Sequence, residues 1–120
     1  MVSKRVLLAD DAAFFRAALR DILEDGGFEV VGEAANGEEA VQKARDLKPD
    51  IVILDVVMPV KNGLEAAKEI SLLNLPLKVI ICSSIGYEPI VEEAIRAGAS
   101  AYILKPLDKA RVLETLNRLL

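Results

Sequence analysis

Four aliphatic residues in a row, Ile51-Val52-Ile53-Leu54, end on the carboxylate of Asp55 and lie between Lys48-Pro49-Asp50 and Pro59. A run this short and uniformly apolar, bounded by proline on both sides, predicts a strand buried on both faces, so covering layers must lie above and below it. Asp55 then stands at the C-terminal lip of that strand. A carboxylate beside a core survives only if it is solvated, paired or metal-bound. Asp55 is therefore either a strand-end solubiliser or a functional residue, and the rest of the chain has to decide.

The same arrangement recurs along the sequence. Arg5-Val6-Leu7-Leu8-Ala9 reads as a first strand that ends in Asp10-Asp11, and the next segment sets Phe15, Leu19, Ile22 and Leu23 on one helical stripe that Gly26-Gly27 stops. Phe28 to Ala34 is the second strand. Asn36 then caps a helix with Glu39 at its third position, and Ala40, Val41, Ala44 and Leu47 form its inner face. After Pro59, Asn62 and Glu65 form a second capping pair ahead of a helix facing inward through Leu64, Ala67 and Ile70. Leu77 to Cys82 is a fourth strand that ends on Ser83-Ser84. Pro89 suits the first turn of a helix whose apolar side is Ile90, Val91, Ala94 and Ile95, with Gly98 as its stop. Tyr102 to Leu104 is the fifth strand, followed by Lys105-Pro106 and a last helix that Asp108 caps, with Val112, Leu113, Leu116 and Leu119 as its stripe.

Alternating strands and helices of this length predict an α/β fold with a five-stranded parallel, doubly wound sheet, because each crossover helix returns the chain to the same end of the sheet. Ligands in such folds sit beyond the carboxyl ends of the strands. Those ends carry Asp10-Asp11, Asp55, Ser83-Ser84 and Lys105. Taken singly each has an ordinary explanation: acids complement a helix N-terminus, serines make turns, and a lysine is a solvated charge. Together they do not, because three carboxylates on one rim repel one another unless a hard cation joins them. The pattern implies a Mg²⁺ site with a lysine and a hydroxyl for phosphoryl oxygens.

Composition narrows the classes. The 120 residues, 52% of them hydrophobic, suit one domain over residues 1–120 with its own core. With no histidine, imidazole catalysis and most zinc sites drop out. A net charge of −4 lacks the basic stripe of a nucleic-acid binder, the apolar runs are too short for membrane insertion, and no signal peptide is visible, so a cytoplasmic protein is expected. The single cysteine excludes an internal disulfide.

Asp10-Asp11 after the first strand, Asp55 ahead of Met58-Pro59 and Asn62-Gly63, Ser83 after the fourth, and Gly98-Ala99-Ser100-Ala101-Tyr102 leading to Lys105-Pro106 resemble the receiver domain of two-component response regulators. The resemblance covers the whole chain and leans toward the single-domain chemotaxis regulators of the CheY type through Ile81-Cys82-Ser83 and Ala94-Ile95-Arg96-Ala97-Gly98-Ala99. It implies a flavodoxin-like (βα)5 fold with strand order 2-1-3-4-5. It also implies that Asp55 accepts a phosphoryl group, that Asp10, Asp11, Asp55 and the backbone carbonyl of Val57 hold Mg²⁺, and that Lys105 and Ser83 contact the phosphoryl group. Tyr102 is then the aromatic switch, together with Ser83, and the Lys105-Pro106 bond is cis. The implied role is a phosphoacceptor that is not itself a turnover enzyme. Its donor is a sensor histidine kinase, and its reader is a downstream protein such as a flagellar motor switch component, met at the face of the fourth and fifth helices.

The sequence departs from the family pattern at Ser84, usually Ala or Gly, at Ser83, usually Thr, and at Val57 and Ile85, which flank the phosphoryl site and are apolar here. Two other readings fit these residues less well. A flavodoxin-type flavin carrier shares the fold but needs a hydroxyl-rich loop where Asp10-Asp11-Ala12-Ala13 stands, and a phosphatase with an Asp nucleophile pairs it with an acid two residues on, where Val57 stands. A receiver belonging to a longer DNA-binding or effector regulator is equally compatible with a sequence that stops at the last helix.

Overall fold

The computed structural model describes residues 4–120. It contains β1 (Arg5–Ala9), α1 (Ala13–Asp25), β2 (Glu29–Ala34), α2 (Gly37–Leu47), β3 (Ile51–Leu54), α3 (Gly63–Leu72), β4 (Lys78–Ser83), α4 (Glu88–Arg96), β5 (Ala99–Leu104) and α5 (Lys109–Leu119). The strands form one parallel sheet in the order β2-β1-β3-β4-β5. Both the fold class and the order implied by the family resemblance are therefore observed.

The two-residue period of each strand divides the core into two layers. Leu7, Ala9, Val52, Leu54, Val79 and Ile81 face α2, α3 and α4, whose buried positions are mostly alanine: Ala40, Ala44, Ala66, Ala67 and Ala94. Val6, Leu8, Ile51, Ile53, Ile80 and Cys82 face α1 and α5, where Leu19, Leu23, Val112 and Leu116 cover them. Ile51 to Leu54 is buried throughout, as a central strand between two helical layers must be. Small residues on the first layer let the helices lie close to the sheet. Among the described residues, no helix is long and apolar enough to cross a membrane.

Capping explains most helix starts. The Asn62 side chain accepts the Glu65 N–H while Glu65 accepts the Asn62 N–H, and Asp108 accepts the Arg111 N–H. Asn36 likewise accepts the Glu39 N–H, but the Glu39 carboxylate takes the Ala35 N–H, one residue upstream of the expected partner. Three other expectations shift. β4 runs from Lys78 through Ser83, and β5 begins at Ala99 rather than Tyr102, because it pairs with β4 from Val79 across an irregularity that hides the period. On α4, Ile95 is half exposed instead of inward, and Ala94 is the fully buried residue. This helix covers the outer strands through a narrow stripe.

The loop after β3 is shaped by two backbone demands. Gly63 donates its N–H to the Val56 carbonyl, and a Cβ there would lie 1.9 Å from the Asp55 carbonyl oxygen, so only glycine lets the loop fold back onto the end of β3. Val60 adopts φ 70°, a left-handed conformation that is costly for a β-branched residue, while its side chain is 81% exposed and has little packing to lose. Asparagine tolerates this conformation. Replacing Val60 with Asn is expected to raise stability by about 1 kcal/mol. Urea unfolding with an unchanged slope measures it, and a loss of stability would show that Val60 is not strained.

Candidate functional site

The carboxyl ends of β1, β3, β4 and β5 deliver the predicted residues to one rim. Asp10, buried just past β1, is fixed at three points: its N–H donates to Ala34 O at 3.0 Å, its Oδ1 accepts the Ala12 N–H at 2.9 Å, and its carbonyl accepts from the Arg16 guanidinium. Asp11 is exposed. Asp55, 9% exposed, donates its N–H to Ala9 O at 2.9 Å and accepts the Val56 N–H on Oδ1 at 2.7 Å. Lys105 Nζ reaches across from the end of β5 to Asp10 Oδ2 at 2.8 Å and Asp55 Oδ2 at 3.4 Å. Each of Asp10, Asp11 and Asp55 offers an oxygen within 4.8 Å of the others.

The electrostatics follow from burial and crowding. Burial pushes the Asp55 carboxyl above its ordinary value; Lys105 pulls it down, and the charge of Asp10 adds to the rise. For Lys105, burial works against the ammonium, but the hydrogen bond to Asp10 and the charges of Asp55 and Asp10 more than offset it, so its pKa lies above the ordinary value. The lysine remains a cation. Three carboxylates against one ammonium still leave negative charge in excess, and an all-oxygen donor set of this size matches a small hard cation. Lys105 already bridges two of the carboxylates, which indicates that the rim is built around positive charge.

Ser83 and Tyr102, the residues expected to act as the switch, lie beside this cluster and meet at Ile85. Buried Ser83 accepts the Ile85 N–H on Oγ at 3.1 Å, and the Tyr102 hydroxyl donates to the Ile85 carbonyl. Burial raises the Tyr102 pKa above its ordinary value. Ser84 is exposed, and Ile85 is half-buried. Val57 is 62% exposed on the loop after β3, an apolar side chain where an acid-paired phosphatase would carry a carboxylate. The Lys105-Pro106 bond is cis, as the resemblance implies.

Two neighbours of the site were assigned only helical roles from sequence. The Phe15 ring centroid lies 3.7 Å from Lys105 Nζ, a cation–π contact, and Arg16 binds the Asp10 carbonyl. Periodicity identifies Phe15 as apolar stripe and Arg16 as a polar residue. It cannot reveal that Phe15 meets Lys105, 90 residues on, or that Arg16 turns back to the Asp10 carbonyl.

The raised Asp55 pKa carries a stability consequence in metal-free buffer. A carboxyl whose folded pKa lies above its unfolded value imposes no penalty below the unfolded value and destabilises as pH rises through the folded one. Asp55→Asn removes that titration and leaves Lys105 its stronger partner, Asp10. The variant is expected to melt above the parent at pH 7 in EDTA, with the difference shrinking as pH falls toward the unfolded value of about 4 and gone below it. A difference independent of pH would contradict the assigned environment of Asp55.

Comparison with known proteins agrees with this geometry. Residues 6–117 match the response regulator receiver domain. The chain is 51% identical over 117 residues to the chemotaxis protein CheY of Thermotoga maritima, covering 98% of each, and 44% identical over 119 residues to that of Bacillus subtilis, covering 99% of each. It is also similar to a structure of the CheX-CheY-BeF3-Mg²⁺ complex from Borrelia burgdorferi, with a TM-score of 0.93 and 36% identity over 97% of this chain and 88% of that one. A parallel sheet in the order 2-1-3-4-5, with aspartates and a lysine gathered at its carboxyl rim and near-complete relatives of the CheY type, places this chain in the response regulator receiver domain family.

Proposed function

We propose that this protein is a CheY-type signalling switch in which Asp55 takes a phosphoryl group from a histidine kinase and the change is read at the α4-β5-α5 face. The observation that carries the reading is the contact of Lys105 Nζ with both Asp10 and Asp55 inside a ring of three carboxylates. Asp10, Asp11, Asp55 and the Val57 carbonyl would hold Mg²⁺. When bound, the ion neutralises carboxylate charge and draws electron density from the phosphoryl oxygens, which a weak carboxylate nucleophile needs.

The chain's own residues do the rest. The Val56 N–H holds Asp55 Oδ1 and so orients the carboxylate, leaving Oδ2 on the Lys105 side as the oxygen that attacks phosphorus in line. As the new bond forms, the bond to the donor imidazole breaks and its electron pair leaves with the imidazole. Lys105 then has a phosphoryl oxygen to pair with in place of carboxylate oxygens, and the Ser83 hydroxyl becomes a donor to another. The protein positions and neutralises, and the only group it transfers ends on itself, so it acts as a phosphoacceptor rather than a turnover enzyme.

Output follows from Ile85. A Ser83 hydroxyl drawn to the phosphoryl group would leave the Ile85 N–H, and the same loop residue holds the Tyr102 hydroxyl. Tyr102 would then turn inward and reshape the surface beside α4 and α5. The CheX complex of the Borrelia relative supports a protein partner in the presence of a beryllofluoride group and Mg²⁺. The partner here is read as a downstream protein such as a flagellar motor switch component, with the signal passing through the cytoplasm and with neither nucleic acid nor membrane bound.

Acetyl phosphate with Mg²⁺ should label the wild-type chain once and leave Asp55→Asn unlabelled, as read by intact mass. Label retained on the variant would place the acceptor elsewhere. Mg²⁺ at ten times its Kd should stabilise the folded chain by about 1.4 kcal/mol, and an unmoved melting curve would count against the metal reading.

The phosphorylated form should also be long-lived. Hydrolysis needs a water in line with the phosphorus–oxygen bond, and Val57 and Ile85 offer no group to orient one. Replacing Val57 with Asn and Ile85 with Glu is expected to speed decay of the labelled protein by roughly tenfold. Unchanged or slower decay would remove these two positions from the account of lifetime.

A further inference from the structure

Arg16 leaves the buried face of α1 for an unusual pair of partners. Its Nε donates to Glu33 Oε1 at 2.8 Å, and its Nη1 donates to the main-chain carbonyl of Asp10. Glu33 stands on β2 and is itself held: Arg20 donates to its Oε2 from Nε at 3.0 Å and from Nη2 at 2.6 Å, and Lys43 from α2 donates to its main-chain carbonyl. The Arg20 hydrogen bond is the largest cause that keeps the Glu33 carboxyl below its ordinary pKa, so the pair stays charged at neutral pH. With 17% of its side chain exposed, Arg16 is sheltered from the solvent screening that makes most ion pairs weak.

The carbonyl that Arg16 holds is one end of the Asp10–Asp11 peptide. That unit is planar, so fixing its oxygen fixes the direction in which the chain enters Asp11. The Asp10 carboxylate has its own anchor in the Ala12 N–H, whereas Asp11 is exposed and takes its placement from the backbone. We propose that Arg16, braced by Glu33, is a positioning residue that sets the divalent-cation affinity of the rim by orienting the Asp10–Asp11 peptide. This rests on the reading that the rim binds Mg²⁺.

Charge alone demands the opposite sign. A guanidinium near a cation site repels the cation, so removing it should tighten binding if field were the whole effect. Positioning demands that removal weaken binding, as loss of groups that orient metal ligands does, by about tenfold at the lower end. The sign therefore separates the two at Arg16, whereas at Glu33, where a negative charge is lost, both expect weaker binding.

The test is calorimetric titration of the full chain with MgCl₂ at fixed ionic strength, well below the melting temperature and without phosphodonor. Arg16→Gln and Glu33→Gln are each expected to weaken Mg²⁺ binding about tenfold. The double variant should be little weaker than Arg16→Gln alone, because both act through one guanidinium. Ile51→Val, a small cavity at the amino end of β3, opposite the rim, serves as the stability control: it should lower the melting temperature and keep the wild-type Mg²⁺ affinity. Arg16→Lys, which keeps the charge but cannot fork between Glu33 and the Asp10 carbonyl, keeps the test alive if Arg16→Gln fails to fold: it should also weaken binding, where field alone expects no change. Unchanged or tighter binding in Arg16→Gln, or in Arg16→Lys where Arg16→Gln does not fold, overturns the proposal. So does equal weakening in Ile51→Val. A wild type that gives no Mg²⁺ binding isotherm overturns the metal reading itself, and this inference with it, whereas a wild type that binds alongside unaffected variants sinks the Arg16 role alone.

Discussion

The repulsion among Asp10, Asp11 and Asp55, and its partial relief by Lys105, is the constraint on which the rest of the rim depends. A parallel sheet sends every strand's carboxyl end to the same side, so acids that follow β1 and β3 are forced together by topology. Strands lie about 4.8 Å apart, and β5 is separated from β1 by β4 and β3, so Lys105 must cross roughly three strand spacings to reach Asp10. That crossing needs clearance over the end of β4. β4 ends on the small Ser83, with Ser84 next, and the Phe15 ring supports the ammonium from the α1 side.

The two-layer core serves this arrangement. Burying β1, β3 and β4 on both faces makes their ends rigid, which keeps the carboxylates close although they repel. Alanines on α2 and α3 bring those helices near the sheet, and Gly63 allows the loop after β3 to close against Asp55. Bulk at any of these places would move a carboxylate. Fold and site are therefore coupled through small residues, and the large aliphatic residues mainly supply the hydrophobic stabilisation.

Much of this was legible in sequence. The strands announced themselves because central parallel strands are uniformly apolar, and their polar endings located the rim, since chain direction alone decides which side those endings reach. Less legible was whatever depended on pairing across the sheet. β5 begins at Ala99 because it pairs with Val79 across an irregular register, a fact that Ala99-Ser100-Ala101 does not advertise. Ile95 fits the helical stripe yet stays half exposed, because α4 meets the sheet along Ala94 and has little else beneath it. Arg16 and Phe15 carried no signal at all, since their importance lies in residues brought to them only by folding.

The weak seating of α4 bears on how a small event at the rim reaches a surface. Ile85 ties Ser83 on one side to Tyr102 on the other, and α4 starts three residues later, at Glu88. Its first turn has no side-chain cap at Tyr87, and Ala94 is its one fully buried residue, so few contacts oppose a shift of this segment. By contrast, α2 and α3 are capped by Asn36 and Asn62 and are buried through several residues each. A pull on Ser83 would thus be taken up on the α4 side, where resistance is lowest, and not at β3, where Asp55 must hold its place for the chemistry. On the proposed reading, the asymmetry between firmly packed β3 and lightly packed α4 would let one hydrogen-bonded loop residue transmit a change without loosening the site that causes it.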